Sequence, residues 1–151
     1  GPWTMGMTGF GEVLPYHENK IELDRTKTDK WGLPVLSFDA QLRENEEKMR
    51  LDMRQDAVEM LESAGFKDVS GWESDYALGM GIHEMGTARM GTAPENSVLN
   101  KWNQVWEAPN VFVTDGAAMT SASCVNPSLT YMAMTARAAD HAVKELKKGN
   151  L

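Results

Sequence analysis

Polar and apolar positions alternate over Lys20-Ile21-Glu22-Leu23-Asp24, which predicts a half-buried strand. Residues 24–30 read as a charged turn, Trp31-Gly32-Leu33-Pro34 punctuates it, and residues 35–38 make a short second strand. From residue 40 to 64 the period lengthens. Leu42, Met49, Met53, Met60, Leu61 and Ala64 recur at helical spacing, with Glu44, Glu46, Glu47, Lys48, Arg50 and Arg54 between them. A long amphipathic helix is expected there, capped by Asp39 and stopped by Gly65 at the position just past its end. Its methionines read as core filler, since Met is the adaptable packing residue.

Residues 66–80 form a mixed connector, a glycine-rich turn around His83 follows, and residues 92–108 read as a polar loop. Val111-Phe112-Val113 predicts a short buried strand leading into Thr114-Asp115-Gly116-Ala117. A last helix is expected over 127–147, with Leu129, Met132, Ala136, Ala139, Val143 and Leu146 as one core-facing stripe. Lys144, Lys147 and Lys148 complement its negative end and Gly149 stops it. Strands and helices in this order give an α/β class, or α+β if the chain is taken as a fragment. The Gly- and Met-rich strip over residues 3–16 suggests surface meant to be covered by something else.

Composition narrows the function classes. The 151 residues carry a formal charge of -7. That balance argues against nucleic-acid binding, which needs a basic face to displace condensed counterions. No apolar run approaches the ~18 residues of a membrane span. A soluble protein, cytoplasmic or periplasmic, is expected, the compartment staying open. Cys124 is the single cysteine, so no internal disulfide forms. Gly1-Pro2 lacks a basic n-region and an apolar h-region and reads as a processing scar, so the chain is expected to be a piece of something longer. Gly6, Gly9 and Gly11 are ordered G-x-x-G-x-G, the reverse of the dinucleotide fingerprint, and no long helix follows them.

Three segments remain as candidates for chemistry. His83 lies among Gly79, Gly81, Gly86 and Gly91, which permit tight turns and close backbone approach. An imidazole can take a proton from an alcohol, or simply hydrogen-bond within the loop. His83-Glu84 lacks the second histidine of H-E-x-x-H, since Thr87 stands there, and no metal site is expected. Asn126-Pro127 is a good helix start in its own right, with Asn as N-cap and Pro at the first helical position. A helix start also offers free N–H groups and about half a positive charge to an anion. If Asn126 is not the cap, its carboxamide is free for a substrate oxygen. Asp115-Gly116, at a strand end, is an ordinary turn or a place for nucleotide or sugar hydroxyls to dock. Ser121, Ser123 and Cys124 form no nucleophile motif with His83, and His17 and His141 look incidental, the latter on an exposed helix face.

Taken together, His83-Glu84-Met85-Gly86-Thr87-Ala88-Arg89-Met90-Gly91, Asn110-Val111-Phe112-Val113-Thr114-Asp115-Gly116 and Asn126-Pro127-Ser128-Leu129-Thr130 resemble the C-terminal part of the glucose–methanol–choline (GMC) family of flavin-dependent oxidoreductases. The specific likeness covers residues 79–146. The resemblance implies that His83 is the active-site base and Asn126 the second catalytic residue, in the Asn version typical of the choline-oxidase and pyranose-oxidase side. It implies that Asp115 and Gly116 contact the ribityl–pyrophosphate region of FAD. Pro127, Ser128 and Thr130 would bring the last helix to the N1–C2=O edge of the flavin. The implied reaction oxidises an alcohol or sugar CH–OH, with the proton going to His83 and hydride to FAD N5, and a sugar is mildly preferred. Residues 1–78 would be a substrate-domain portion with the long helix, and 79–151 the C-terminal segment carrying the histidine. The family's G-x-G-x-x-G segment is absent, so the remaining FAD-binding portion is an expected partner and the chain alone should be inactive. The contrasting expectation is a non-catalytic interaction or structural module that keeps the fold without the chemistry.

Overall fold

The computed structural model describes every residue except Asp75 and Cys124, so the reading of Cys124 lies outside the described residues. The chain divides into two compact units, Gly1–Met80 and Gly81–Leu151. Helices and antiparallel strand pairs are mixed along it, the α/β content that the residue pattern predicts.

In the first unit, β1 (Lys20–Thr28) pairs with β2 (Pro34–Asp39), with Ile21 opposite Phe38 and Leu23 opposite Leu36. β1 runs four residues beyond the expected strand, through what reads as a turn. The cause is local: the Asp24 carboxylate accepts the Thr26 N–H (2.9 Å) and the Thr26 hydroxyl (2.6 Å), and the pairing register shifts between Asp24 and Thr28. The reversal falls later. Asp29 Oδ1 accepts N–H groups of Trp31 (2.8 Å) and Leu33 (2.9 Å), and Gly32 takes the left-handed φ of +81° that the turn requires. The hairpin is not half-buried as expected. Ile21, Leu23, Leu36 and Phe38 share one apolar face, and all four are exposed.

α1 (Glu44–Ser63) starts later than the sequence suggests. Asp39 belongs to β2, and the N-cap is Arg43, whose N–H donates to Glu46 Oε2 at 3.0 Å. Glu46 is buried, and its Oε1 also accepts from the Leu14 N–H (3.1 Å), the Tyr16 hydroxyl (3.3 Å) and the Asn45 amide (3.2 Å). Burial pushes this carboxyl up, but the hydrogen bonds from Leu14, Arg43 and Asn45 and from its own N–H prevail, holding it at about 2. Met49 and Met53 pack under the N-terminal strip: a Cβ on Gly11 would strike the Met49 side chain, and one on Gly9 would meet Met53 Sδ at 3.1 Å. Those glycines therefore serve close packing. Met60 is exposed and fills no core here. Gly65 stops the helix as expected, at φ +91°.

In the second unit, β3 (Gln104–Val105) and β4 (Ala108–Phe112) form a short hairpin; β3 is an added strand, and Val111 is exposed rather than buried. A 3-10 turn (Gly116–Ala118) and α2 (Ser128–Lys148) follow. Leu99, Asn103, Ala118 and Ala138 are buried. Asn103 Nδ2 donates to the Val113 carbonyl (2.9 Å) and its Oδ1 accepts from Arg137 (3.2 Å), tying the end of β4 to α2. His141 is not incidental. Its ring stacks on Trp102, with centroids 4.6 Å apart and planes 9° from parallel.

The sequence stripe on α2 faces the wrong way for a core. Leu129 is 78% exposed, Met132 68%, Val143 50% and Leu146 63%. The side turned to the unit's body carries Tyr131, Met134, Ala138, His141 and Ala142. Periodicity identifies the side of a helix that seeks apolar cover, and the described residues of its own unit leave that side of α2 half exposed or more. Gly149 ends the helix at φ +77°, as expected. No helix among the described residues is long and apolar enough to cross a membrane.

Candidate active site

The second unit brings three separated segments together. The first is the turn holding His83. Gly81 N–H donates to Glu84 Oε1 at 2.7 Å, and Ile82 between them has a left-handed φ of +60°. A β-branched residue enters that region only under strain. Gly86, at φ +87°, turns the chain again. It then runs beside the 3-10 turn, with the Ala88 N–H on the Ala117 carbonyl (2.9 Å) and the Met90 N–H on the Ala118 carbonyl (3.0 Å). The Arg89 carbonyl accepts the N–H groups of Val98 and Leu99, and Arg89 Nη2 donates to the Asn96 carbonyl at 2.9 Å, so Arg89-Met90-Gly91 anchors this turn to the core.

The second segment is the start of α2. Pro127, not Asn126, is the N-cap, and the first helical bond runs from the Tyr131 N–H to the Pro127 carbonyl at 3.0 Å. This corrects the expected cap. The Asn126 side chain is engaged elsewhere: its Oδ1 lies 2.9 Å from His83 Nε2. Pro127 makes no side-chain cap bond, and among the described residues no other side chain caps the first turn, which leaves its N–H groups and partial positive charge available to an anion. Pro127 is buried, and Ser128 and Thr130 are exposed on that turn.

The third segment is the 3-10 turn. Asp115 is exposed, and its Oδ1 accepts the Ala117 N–H at 3.0 Å, leaving Oδ2 for another donor. Gly116 is buried. A Cβ there would sit 2.8 Å from the Tyr131 hydroxyl, 2.9 Å from the Glu84 carbonyl oxygen and 3.2 Å from Met85 Sδ. The open side of this glycine is thus filled by the chain itself. The Tyr131 hydroxyl also donates to Met85 Sδ at 3.5 Å.

Of the predicted residues, His83 and Asn126 are in direct contact across 43 positions of sequence, and Gly116 abuts the residues next to His83. Tyr131 and Met85 escaped the sequence reading. The available signal was the one phenol of α2, on the side opposite the apolar stripe.

With Oδ1 facing the ring, Nε2 carries the hydrogen of neutral His83 and Nδ1 the lone pair. Turning the carboxamide over presents Nδ2–H and moves the lone pair to Nε2. In either orientation one ring nitrogen can take a proton, and the amide at Asn126 decides which.

Comparison with known proteins gives this arrangement a context. Residues 15–135 match the family described as GMC oxidoreductase. The chain is 36% identical over 141 residues to 2-methyl-1,2-propanediol dehydrogenase of Mycolicibacterium austroafricanum, covering 87% of this chain and 24% of that protein. It is 30% identical over 138 residues to the fructose dehydrogenase large subunit of Gluconobacter japonicus, covering 91% and 25%. It is 34% identical over 126 residues to paromamine 6'-oxidase of Streptomyces fradiae, covering 83% and 23%. The chain spans about a quarter of the length of these relatives.

Proposed function

The chain belongs to the GMC oxidoreductase family, and from that premise we propose that it is the C-terminal part of an FAD-dependent enzyme oxidising the CH–OH group of an alcohol or sugar. The observation that carries this reading is the 2.9 Å contact between His83 Nε2 and Asn126 Oδ1 beside an uncapped helix start. In an alcohol oxidation the O–H proton and a hydride leave together and a carbonyl forms. His83 takes the proton. Asn126 fixes the orientation of the imidazole and offers its amide to the substrate oxygen. The strained turn at Ile82 and the anchoring of Arg89 hold the ring in place while it does so.

FAD, when bound, supplies the hydride acceptor. The residues present suit such a group. The α2 first turn, with Pro127, Ser128 and Thr130, offers N–H groups and positive potential to a flavin edge that gains negative charge, and Asp115 offers Oδ2 to a hydroxyl. Residues 1–78 serve as a substrate-domain portion, and 79–151 carry the base. The larger FAD-binding portion is the partner that completes the site, so the isolated chain holds cofactor weakly and does not turn over. The names of the relatives, a diol dehydrogenase, a fructose dehydrogenase and a paromamine oxidase, support an alcohol or sugar substrate.

The test uses the natural-length protein. Visible flavin absorbance that bleaches when sugars or alcohols are added is the expected result. His83→Ala should slow that bleaching about 100-fold or more, the scale of a general base. A natural-length protein that stays colourless with added FAD, or a His83→Ala variant bleaching at full rate, overturns the reading.

A further inference from the structure

The start of α2 contributes more than Asn126. One turn into the helix, the Tyr131 hydroxyl reaches Met85 Sδ, two residues beyond His83. The same hydroxyl lies at the bare face of Gly116, where a Cβ would meet the phenol oxygen, the Glu84 carbonyl and Met85 Sδ at once. The His83 turn, the 3-10 turn and α2 therefore converge at one point, and only a residue without a side chain fits there. Asn126 directly precedes Pro127, whose carbonyl accepts the Tyr131 N–H in the first backbone hydrogen bond of α2. A shift of the helix start that changes the gap between Tyr131 and Met85 therefore also moves the residue next to Asn126.

We propose that Tyr131 is a positioning residue for the His83–Asn126 pair, acting through Met85 across the unsubstituted face of Gly116. Gly116 belongs to this device as its spacer and does not reach the cofactor with its open side. The proposal rests on the base role of His83 proposed above.

The experiment uses the natural-length flavoprotein with Tyr131→Phe, which keeps the ring and removes the hydroxyl, with Met85→Leu as a second conservative change, and with Gly116→Ala. Tyr131→Phe and Met85→Leu should each lower the rate of flavin reduction about threefold or more, with KM held within about twofold. Gly116→Ala displaces the turn and should cost about tenfold or more. FAD should bind all three as it binds the parent. In an Asn126→Ala background the effect of Tyr131→Phe should vanish, because the gap it controls no longer has two sides. Independently of turnover, the ring 15N signals of His83 in histidine-labelled protein should move toward their positions in Asn126→Ala.

Unmoved ring signals in Tyr131→Phe and Met85→Leu overturn the proposal, as do effects that multiply with Asn126→Ala. Weakened FAD binding by Gly116→Ala, with full rate at saturating FAD, also overturns it and assigns the glycine to the cofactor. If His83→Ala reduces flavin at full rate, the base role fails instead, and the ring signals still decide whether Tyr131 positions the histidine.

Discussion

Ile82 holds a left-handed backbone with its side chain 84% exposed, so its apolar surface gains almost nothing from that place. Strain of this kind costs of order 1–3 kcal/mol and survives only where neighbours impose it. Here the imposing neighbour is Glu84, whose carboxylate clasps the Gly81 N–H. Ile82→Gly removes the strain but adds ~0.5–1 kcal/mol of unfolded-state freedom. Calorimetry of the natural-length protein should therefore find it as stable as the parent or up to ~2 kcal/mol more stable, while flavin reduction slows because His83 is held less firmly. A clear loss of stability would mean that Ile82 makes a contact that repays its strain. His83 and Asn126 were each legible as candidates, and the structure brings the two side chains into contact. That contact was not legible, because the sequence places Asn126 where a helix cap belongs and gives no sign that Pro127 takes that role.

Among the elements, α1 depends on one buried carboxylate. Glu46 joins the helix start at Arg43 to the strip at Leu14 and Tyr16. Its folded value of about 2 lies below the ordinary 4.5, so the charged form is favoured by folding. The stability it contributes is fully present above 4.5 and is lost as the pH falls from there toward 2. Thermal unfolding of this unit should weaken steeply across that window, and Glu46→Gln should flatten the dependence while lowering stability at neutral pH. An unchanged acid profile in Glu46→Gln would show that other carboxylates control it. The helices and the second strand were readable from period and punctuation: Gly65 and Gly149 end α1 and α2 where the pattern places them. The extent of β1 was not, because Asp24 caps a register shift inside a strand with the same side-chain bonds that would close a turn.

At the scale of the whole molecule, apolar surface outruns the means to cover it. Ile21, Leu23, Leu36 and Phe38 lie open on the first unit, and Leu129, Met132, Val143 and Leu146 on the second. Soluble monomers rarely leave contiguous apolar patches larger than a few hundred Å² exposed. The chain spans about a quarter of the length of these relatives, and under the proposed function the FAD-binding portion is what covers this surface. Expressed alone, it should bind a hydrophobic dye strongly and self-associate in sedimentation, and Leu129→Glu with Val143→Glu should reduce both. Equal dye binding by parent and double variant would place the open surface elsewhere. The pattern of apolar residues told which faces need burial, and the core could not be inferred from it because burial also depends on what lies opposite.

α2 has one side toward His83 and another toward whatever covers its stripe. A helix turns about 100° per residue, so one residue inserted after Thr135 would rotate everything beyond it by that angle. Ala138 and His141 would swing out of the body and Trp102 would lose its stacking partner, while Asn126 and Tyr131 stayed in place. Insertions in the stretch before Asn126 change no such phase. Length variation should therefore be tolerated ahead of the helix and forbidden within it, which makes the residue count from Asn126 to His141 as much a part of the site as the side chains at its start.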